Sequence, residues 1–326
     1  MSAMTRRTKL GALILVFVAV CLAGGAMVLK TPKASGLFWV LPHSLRSLAA
    51  LEPEPSLRMR KLPNMYLWAW ERPEDLRFLP QGKVGVAFLA KTISPASMAP
   101  SSQEITDDQR NGIFIRPRLQ PLRISPGTPL IAVTRIETSQ RMVATNYGSG
   151  EKFPIPVSTS QIAIMANVIA DTATIPGVTA IQVDFDATAS EHNFYRTLLL
   201  EVRKRLPSEI PLSITALASW CIGDRWLEQL PPGTIDEAVP MLFRMGAGER
   251  EIENYVSTET SFGVTACNSS LGVSTDEAFS RGLLDGNYSF NKYDRNPMRV
   301  YVFNPRAWDQ AQAEVVLREV GLWRAN

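Results

Sequence analysis

The amino-acid sequence predicts an α/β protein, a (β/α)₈ TIM-type barrel that follows a hydrophobic N-terminal signal or anchor segment. Two observations predict this fold. After about residue 64, short runs of apolar and β-branched residues alternate with amphipathic segments, which is typical of parallel strands covered by helices. The alternation gives eight strand–helix steps over about 260 residues, the usual size of a closed barrel.

The first part of the chain, residues 1–30, has the pattern of an export segment. Arg6, Arg7 and Lys9 precede an uncharged run over residues 10–29, and Lys30 follows it. A basic start and an apolar core are typical of a signal peptide, and about 20 apolar residues are also enough to span a bilayer. We therefore expect a periplasmic or otherwise extracytoplasmic protein, anchored in the inner membrane by residues 10–29 if the segment is not cleaved.

Residues 31–63 form a proline-dotted connector, and residues 64–326 form the barrel domain. Short apolar runs bounded by turn residues predict the strands. The eight predicted strands are Met65 to Trp70, Val84 to Ala90, Leu130 to Glu137, Ala180 to Asp186, Leu212 to Leu217, Ala238 to Arg244, Gly263 to Asn268, and Arg299 to Asn304.

Amphipathic segments between these runs predict the covering helices, as in residues 190–206, where apolar residues recur at four-residue spacing. The others are predicted at Ser160 to Asp171, Asp224 to Leu230, Glu249 to Val256, Asp276 to Leu284, and Trp308 to Leu322. The long connection between the second and third strands is expected to carry a hairpin around residues 112–124.

An open, doubly wound sheet is the rival architecture. It would normally carry a glycine-rich phosphate turn after an early strand. The segment that follows the first predicted strand, Trp-Ala-Trp-Glu-Arg-Pro at residues 68–73, has no glycine. The sequence therefore favours the barrel.

Composition excludes several classes of function. The net charge is +3, with 45% apolar and 20% charged residues, and no basic stripe indicates nucleic acid binding. The two histidines and three cysteines have no metal-ligand spacing, so no metal and no cofactor are expected. We expect Cys221 and Cys267 to be unpaired buried thiols rather than a disulfide. The oligomeric state stays open.

The fourth predicted strand carries the strongest candidates for chemistry. Side chains alternate along a strand, so Gln182, Asp184 and Asp186 share one face and the apolar residues between them share the other. The apolar face fits against helices, which directs the polar face into the barrel. Two acids close together raise the pKa of at least one of them, which suits a general acid. We predict Asp186, nearest the rim, as that acid, with Asp184 tuning its pKa.

Polar and aromatic residues also lie at other predicted strand ends, where the active site of a barrel is found. Glu137 is the third candidate catalytic residue. Aromatic rings stack on the apolar faces of sugars, and acids, amides and guanidinium groups bind hydroxyls. The predicted substrate-binding residues are Glu71, Arg135, Gln182, Trp220 and Arg244.

Two segments resemble a known family of barrels. Residues 178–188 are similar to the fourth-strand signature of family-18 glycoside hydrolases, with Asp186 at the position of the catalytic glutamate and Gln182 in place of an acid. Residues 240–244 resemble that family's Met-x-Tyr-Asp segment, with Phe243 and Arg244 in place of the tyrosine and the aspartate. The resemblance implies acid catalysis on a glycosidic bond, in which the acetamido group of the substrate is the nucleophile.

A second resemblance covers about residues 60–305, including segments 68–73, 135–138, 182–187, 215–221 and 237–246. These segments look like an uncharacterised bacterial secreted family, which implies an envelope setting and no particular reaction. Together these patterns predict a glycoside hydrolase-like envelope protein whose partner is a polysaccharide or an oligosaccharide. The alternatives are a non-catalytic glycan-binding barrel and an envelope assembly or scaffold protein.

Overall fold

Eight parallel strands form a closed barrel. The computed structural model describes residues 56–95, 112–138, 140–143, 151–154, 157–284 and 298–319. Each barrel strand pairs with the next, and β1 pairs with both β3 and β13, which closes the ring. The ring consists, in order, of β1 (Met65–Ala69), β3 (Gly85–Pro95), β6 (Leu130–Ile136), β9 (Val178–Asp184), β10 (Leu212–Leu217), β11 (Glu237–Met241), β12 (Ser270–Ser274) and β13 (Arg299–Phe303). The predicted fold class is confirmed.

Helices cover the outside of the ring. They are α1 (Thr159–Ala170), α2 (His192–Arg205), α3 (Ala218–Ile222), α4 (Glu249–Thr258), α5 (Ala278–Leu284) and α6 (Gln310–Glu319). Local sequence explains where α1 begins, because Ser158 and Gln161 form a reciprocal capping box at its N-terminus. Three basic residues in the last turn of α2 lie at the negative end of that helix's dipole.

Five further strands of the described residues lie outside the ring. They are β2 (Glu74–Asp75), β4 (Ile113–Pro117), β5 (Leu122–Arg123), β7 (Gln140–Val143) and β8 (Glu151–Pro154). The hairpin expected around residues 112–124 is not formed. Strand β4 pairs antiparallel with the outer part of β3 instead, and β5 pairs parallel with β2 in a separate two-stranded sheet.

The chain before residue 56 lies outside the described residues, and so do the predicted signal or anchor segment and most of the connector. In the described part of the chain, no helix combines the length and the apolar character needed to cross a membrane.

The predicted position of the seventh barrel strand is wrong. The strand is β12, whereas residues 265–267 of the predicted run form a short 3-10 helix. The side chain of Asn268 accepts a hydrogen bond from the backbone N–H of Phe262 and donates one to its carbonyl, which folds the run into a loop. Both segments are short and apolar, so composition alone does not separate them.

Cys221 and Cys267 form a disulfide, with their Cα atoms 5.9 Å apart, so the expectation of unpaired thiols is wrong. The bond joins α3, which follows β10, to the short helix that precedes β12. Both cysteines are fully buried. Their 46-residue separation along the chain gave no indication that the barrel brings them together.

Removing this disulfide is expected to lower the free energy of unfolding by about 3–4 kcal/mol, because a crosslink over a loop of this length restricts the unfolded chain. Urea unfolding of Cys221→Ala/Cys267→Ala against the unsubstituted protein measures the loss. A reductant should lower the midpoint of the unsubstituted protein and leave that of the variant unchanged. Equal midpoints for all samples would show that the two thiols are not bonded.

Residues alternate between two apolar environments along each barrel strand. On β9, Ile181 and Val183 pack outward with residues of α1 and α2, such as Met165 and Leu198. The interior is a smaller cluster around Tyr66, Trp68, Ile131, Val239 and Tyr301. Gly85 on β3 leaves room for this packing, since a Cβ there would lie 2.1 Å from the ring of Tyr66. The interior is therefore packed with side chains, as is usual for this fold.

Candidate active site

A cleft of about 400 Å³ opens at the carboxyl ends of the barrel strands. Four aromatic residues and five charged residues supply most of its walls. The aromatic residues are Trp68, Trp70, Phe243 and Phe303. The charged residues are Arg72, Arg135, Asp184, Asp186 and Arg244. The cleft thus combines aromatic faces with both signs of charge at the end of the fold where barrel enzymes place their active sites.

The two acids of the fourth barrel strand both line the cleft, but they differ in exposure. Asp184 is the last residue of β9, and its side chain is 13% exposed. Asp186 lies two residues beyond the strand and is exposed. The inner face of the strand therefore carries one half-buried acid and one acid in water.

The surroundings of Asp184 favour its neutral form. Burial, and next the negative charge of Asp186, raise the pKa of Asp184 to about 6, although Arg135 and a hydrogen bond from Thr215 oppose the shift. The Thr215 hydroxyl donates to Oδ1 at 2.8 Å, and Nη1 of Arg135 lies 3.8 Å from Oδ2. A carboxyl group with such a pKa can hold a transferable proton in mildly acidic water.

Arg135 joins the acid to the aromatic wall. Its guanidinium lies over the ring of Trp70 at 5.3 Å, and its Nε is 3.1 Å from Oε1 of Glu137. Glu137 lies in a smaller polar recess that shares Arg135, Asp184 and Asp186 with the cleft. These four predicted residues are therefore brought together. The charge of Arg135 is shared between Asp184 and Glu137.

Gln182 lies below Asp184 and is fully buried. Its Oε1 accepts a hydrogen bond from the indole N–H of Trp68, and its amide donates to the hydroxyl of Ser213, both at 3.1 Å. Ser213 in turn donates to the carboxylate of Glu237. Because both ends of the Gln182 amide are engaged, this residue holds Trp68 in place at the floor of the cleft.

Arg244 lies on the rim after β11 and lines the cleft as predicted. Glu71 does not line it. Its carboxylate forms an ion pair with Arg116 of β4, which pairs with the outer part of β3. Glu71 thus holds an accessory strand beside the first barrel strand.

Trp220, predicted to form a wall of the pocket, lies in the core instead. It is 2% exposed, and its ring packs against those of His192, Tyr195 and Trp226 at 5.1 to 6.4 Å. Trp220 belongs to α3, and this short helix turns its ring outward, under the covering helices. A residue just beyond a strand does not continue the alternation of that strand, and this explains the difference.

Trp220→Ala is expected to lower the free energy of unfolding by about 3–5 kcal/mol, because it opens a cavity in an aromatic cluster. Ligand binding in the cleft should be unchanged wherever the variant is folded. Urea unfolding and titration with oligosaccharide on the same sample measure both quantities. Weakened binding with unchanged stability would place the ring in the site after all.

Phe303, Thr215 and Arg72 are among the cleft residues that were not predicted. Phe303 and Thr215 occupy inward positions on β13 and β10, next to Ser274 and Asp184 in the ring, so the period-2 alternation could have identified them. Arg72 lies in the loop after β1, where no periodic pattern applies. Among the described residues, no group of three or more histidine, cysteine, aspartate or glutamate side chains could hold a metal ion.

Several solved structures resemble this chain, and the likeness to one of them is weak. The crystal structure of the spore cortex-lytic enzyme SleL of Bacillus cereus aligns with 64% of this chain and 50% of its own, at 16% sequence identity and a TM-score of 0.32. This chain therefore spans about half of that enzyme, and the likeness is too low to bear on function. No family model matches the chain, and no curated protein matches it in sequence. The resemblance to an uncharacterised secreted family stays a prediction.

Proposed function

We propose that this protein is a glycoside hydrolase-like barrel that binds an oligosaccharide or polysaccharide in the cleft and cleaves it by acid catalysis. The observation that carries the proposal is the half-buried carboxyl of Asp184, with its pKa raised to about 6, beside the aromatic walls of the cleft. Aromatic faces suit the apolar faces of sugar rings, and a protonated carboxyl suits a leaving glycosidic oxygen.

In this proposal the general acid is Asp184, rather than the more exposed Asp186 that the sequence suggested. Asp184 gives its proton to the glycosidic oxygen as the bond from that oxygen to the anomeric carbon breaks. Arg135, 3.8 Å away, then stabilises the carboxylate that remains. Water attacks the anomeric carbon, and its proton passes to Asp186 or, through solvent, back to Asp184. Glu137 keeps Arg135 in position through their ion pair.

An extracytoplasmic location is part of the proposal. The buried Cys221–Cys267 disulfide supports it, because disulfides persist in oxidising compartments such as the periplasm. The basic and apolar pattern of residues 1–30 supports it independently. If that segment is not cleaved, the inner membrane is a second partner of the protein.

The test is a panel of neutral, acidic and amino-sugar oligosaccharides, incubated with the protein over pH 4–8. Release of reducing ends measures hydrolysis, and quenching of tryptophan fluorescence measures binding. The proposal is supported if any oligosaccharide of the panel is hydrolysed and if Asp184→Asn abolishes this hydrolysis. Asp224→Asn is the control and should retain it, because Asp224 is an exposed acid outside the cleft. Binding without hydrolysis at any pH would favour a non-catalytic glycan-binding barrel. No binding at all would leave the scaffold alternative.

A further inference from the structure

The charges around the mouth of the cleft are divided between opposite sides of the barrel. Asp184 ends β9, and in the ring of eight strands β9 lies opposite β13. Two arginines of the cleft, Arg72 and Arg244, contact the end of β13 at Phe303 and Asn304. The acid side and this arginine side therefore face each other across the cleft.

Arg244 is held in place by an unusual backbone. Its φ of 52° is the single positive value among the described residues other than glycine. The backbone N–H of Arg244 donates to the carboxylate of Glu277 at 3.0 Å, and this contact holds the left-handed conformation. Strained backbone of this kind is concentrated at functional sites. Here it places the guanidinium 5.8 Å from the centre of the Phe303 ring, on the cleft side of the rim.

The guanidinium of Arg244 is still available to a ligand. Its side chain is 58% exposed, and its Nη2 contacts Asp276 at 3.2 Å. An exposed ion pair of this kind contributes little free energy, so an anion that arrives with its own binding contacts can replace Asp276.

The positive charge of Arg72 is compensated by nearby acids less closely than that of Arg244. Arg72 is half-buried, and its Nη1 donates to the backbone carbonyl of Asn304 at 3.3 Å. Within the described ranges no carboxylate oxygen lies within ion-pair distance of it, although the buried Glu74 is close enough for the charge of Arg72 to oppose the rise of its pKa. Burial still raises the pKa of Glu74 to about 7, so Glu74 compensates the charge of Arg72 only in part. The planar set of N–H groups of Arg72 fits the paired oxygens of a carboxylate or a sulfate.

We infer that Arg72 and Arg244 form a subsite for an anionic group on a sugar, with the ring of Phe303 beneath that sugar. The inference deepens the proposed function and rests on it, since the glycan would lie across the cleft with its bond to be cleaved near Asp184. The substrate is then an acidic glycan, in which a sugar carries a carboxylate or a sulfate. Arg135 serves a different purpose, because it is already paired with Asp184 and Glu137.

The test compares glycans that differ only in charge. The probes are oligogalacturonate, oligoglucuronate and oligomannuronate, each beside its carboxyl-reduced neutral counterpart, together with a sulfated galactose oligomer and its desulfated form. Titration calorimetry at 50 and 500 mM salt gives the dissociation constants. We expect at least one anionic probe to bind ten-fold or more tightly than its neutral counterpart at low salt, with much of that preference lost at high salt. The carboxylated and sulfated series then identify the anion.

Arg72→Gln and Arg244→Gln should each remove most of this preference, because each should weaken binding of the anionic probes more than binding of their neutral counterparts. Arg225→Gln is the matched control, because the Arg225 side chain is equally exposed, at 58%, and pairs with Glu228 away from the cleft. Arg244→Gln keeps the backbone N–H that donates to Glu277, so the local backbone should be retained. This variant therefore tests the charge of the subsite even if Arg72→Gln does not fold.

Equal binding of charged and neutral probes, tighter binding of the neutral form, or a preference that survives both substitutions would overturn the inference. If the preference is absent in one of these ways and probes are still hydrolysed in a manner that depends on Asp184, the proposed function stands and the anionic subsite alone is wrong. If no probe of any charge binds, both are wrong.

Discussion

Asp184→Asn is expected to lower turnover of any hydrolysed glycan by about 10² or more, because asparagine keeps the shape of the side chain and has no transferable proton. Binding should be almost unchanged, since the amide can still accept the hydrogen bond from Thr215. Initial rates and dissociation constants on the same substrate separate the two effects. A variant with full turnover would move the general acid elsewhere, with Asp186 the next residue to substitute.

The pH dependence of the unsubstituted protein gives an independent check of the same residue. Asp184 must be protonated to act as an acid, so activity should fall as the pH rises through about 6. The charge of Asp186 contributes to the raised pKa of Asp184, and Asp186→Asn should therefore shift this fall to lower pH. A fall at the same pH in the variant would show that Asp184 does not set the profile.

The stability of the folded protein should also depend on the protonation of Asp184. The pKa of Asp184 is higher in the folded protein than the ordinary value of 3.8, so the folded state binds the proton more tightly than the unfolded chain does. Its contribution to stability is present below pH 3.8 and is lost as the pH rises through about 6. Asp184→Asn resembles the protonated form, and at pH 7.5 it should raise the free energy of unfolding, by at most about 3 kcal/mol. Lost activity together with higher stability distinguishes a catalytic substitution from a damaging one.

The sequence was sufficient for the fold because a parallel barrel repeats one simple pattern. Seven of the eight barrel strands overlap their predicted positions, since each is an apolar run whose neighbours on both faces are buried. On β9 the same alternation placed Gln182 and Asp184 inside the barrel. The polar inward residues at strand ends could therefore be found from period alone.

Residues beyond the strand ends could not be placed in this way. Trp220 lies three residues after the end of β10, but α3 turns its ring into the core. Glu71 reaches an accessory strand rather than the cleft. Arg72 contacts Asn304, which is 232 residues away along the chain. The disulfide likewise joins two cysteines that are 46 residues apart along the chain. Such contacts are set by tertiary packing, which a local pattern does not contain.

The opposite end of the barrel holds a buried ion pair whose disruption should cost about as much stability as the loss of the Trp220 ring. Nη1 of Arg299 lies 2.6 Å from Oε1 of Glu237, and both side chains are at most 5% exposed. Glu237 also accepts hydrogen bonds from the hydroxyls of Ser213 and Tyr301. Arg299 in turn donates to the backbone carbonyls of Met59 and Pro63, which fixes the segment that enters the barrel. Both charges are thus compensated only by each other and by fixed dipoles.

Arg299→Met is therefore expected to lower the free energy of unfolding at pH 7.5 by about 3–5 kcal/mol, because it leaves the carboxylate of Glu237 buried without its counter-ion. Urea unfolding measures this loss. Arg77→Met, which removes an exposed ion pair with Asp75, is the matched control and should lower the free energy of unfolding far less. Glu237→Gln/Arg299→Met should recover part of the loss at pH 7.5, since the amide is neutral and can still accept the hydrogen bonds from Ser213 and Tyr301. A double variant with the same deficit as Arg299→Met alone would mean that lost packing around Arg299, rather than an unpaired charge on Glu237, destabilises the barrel.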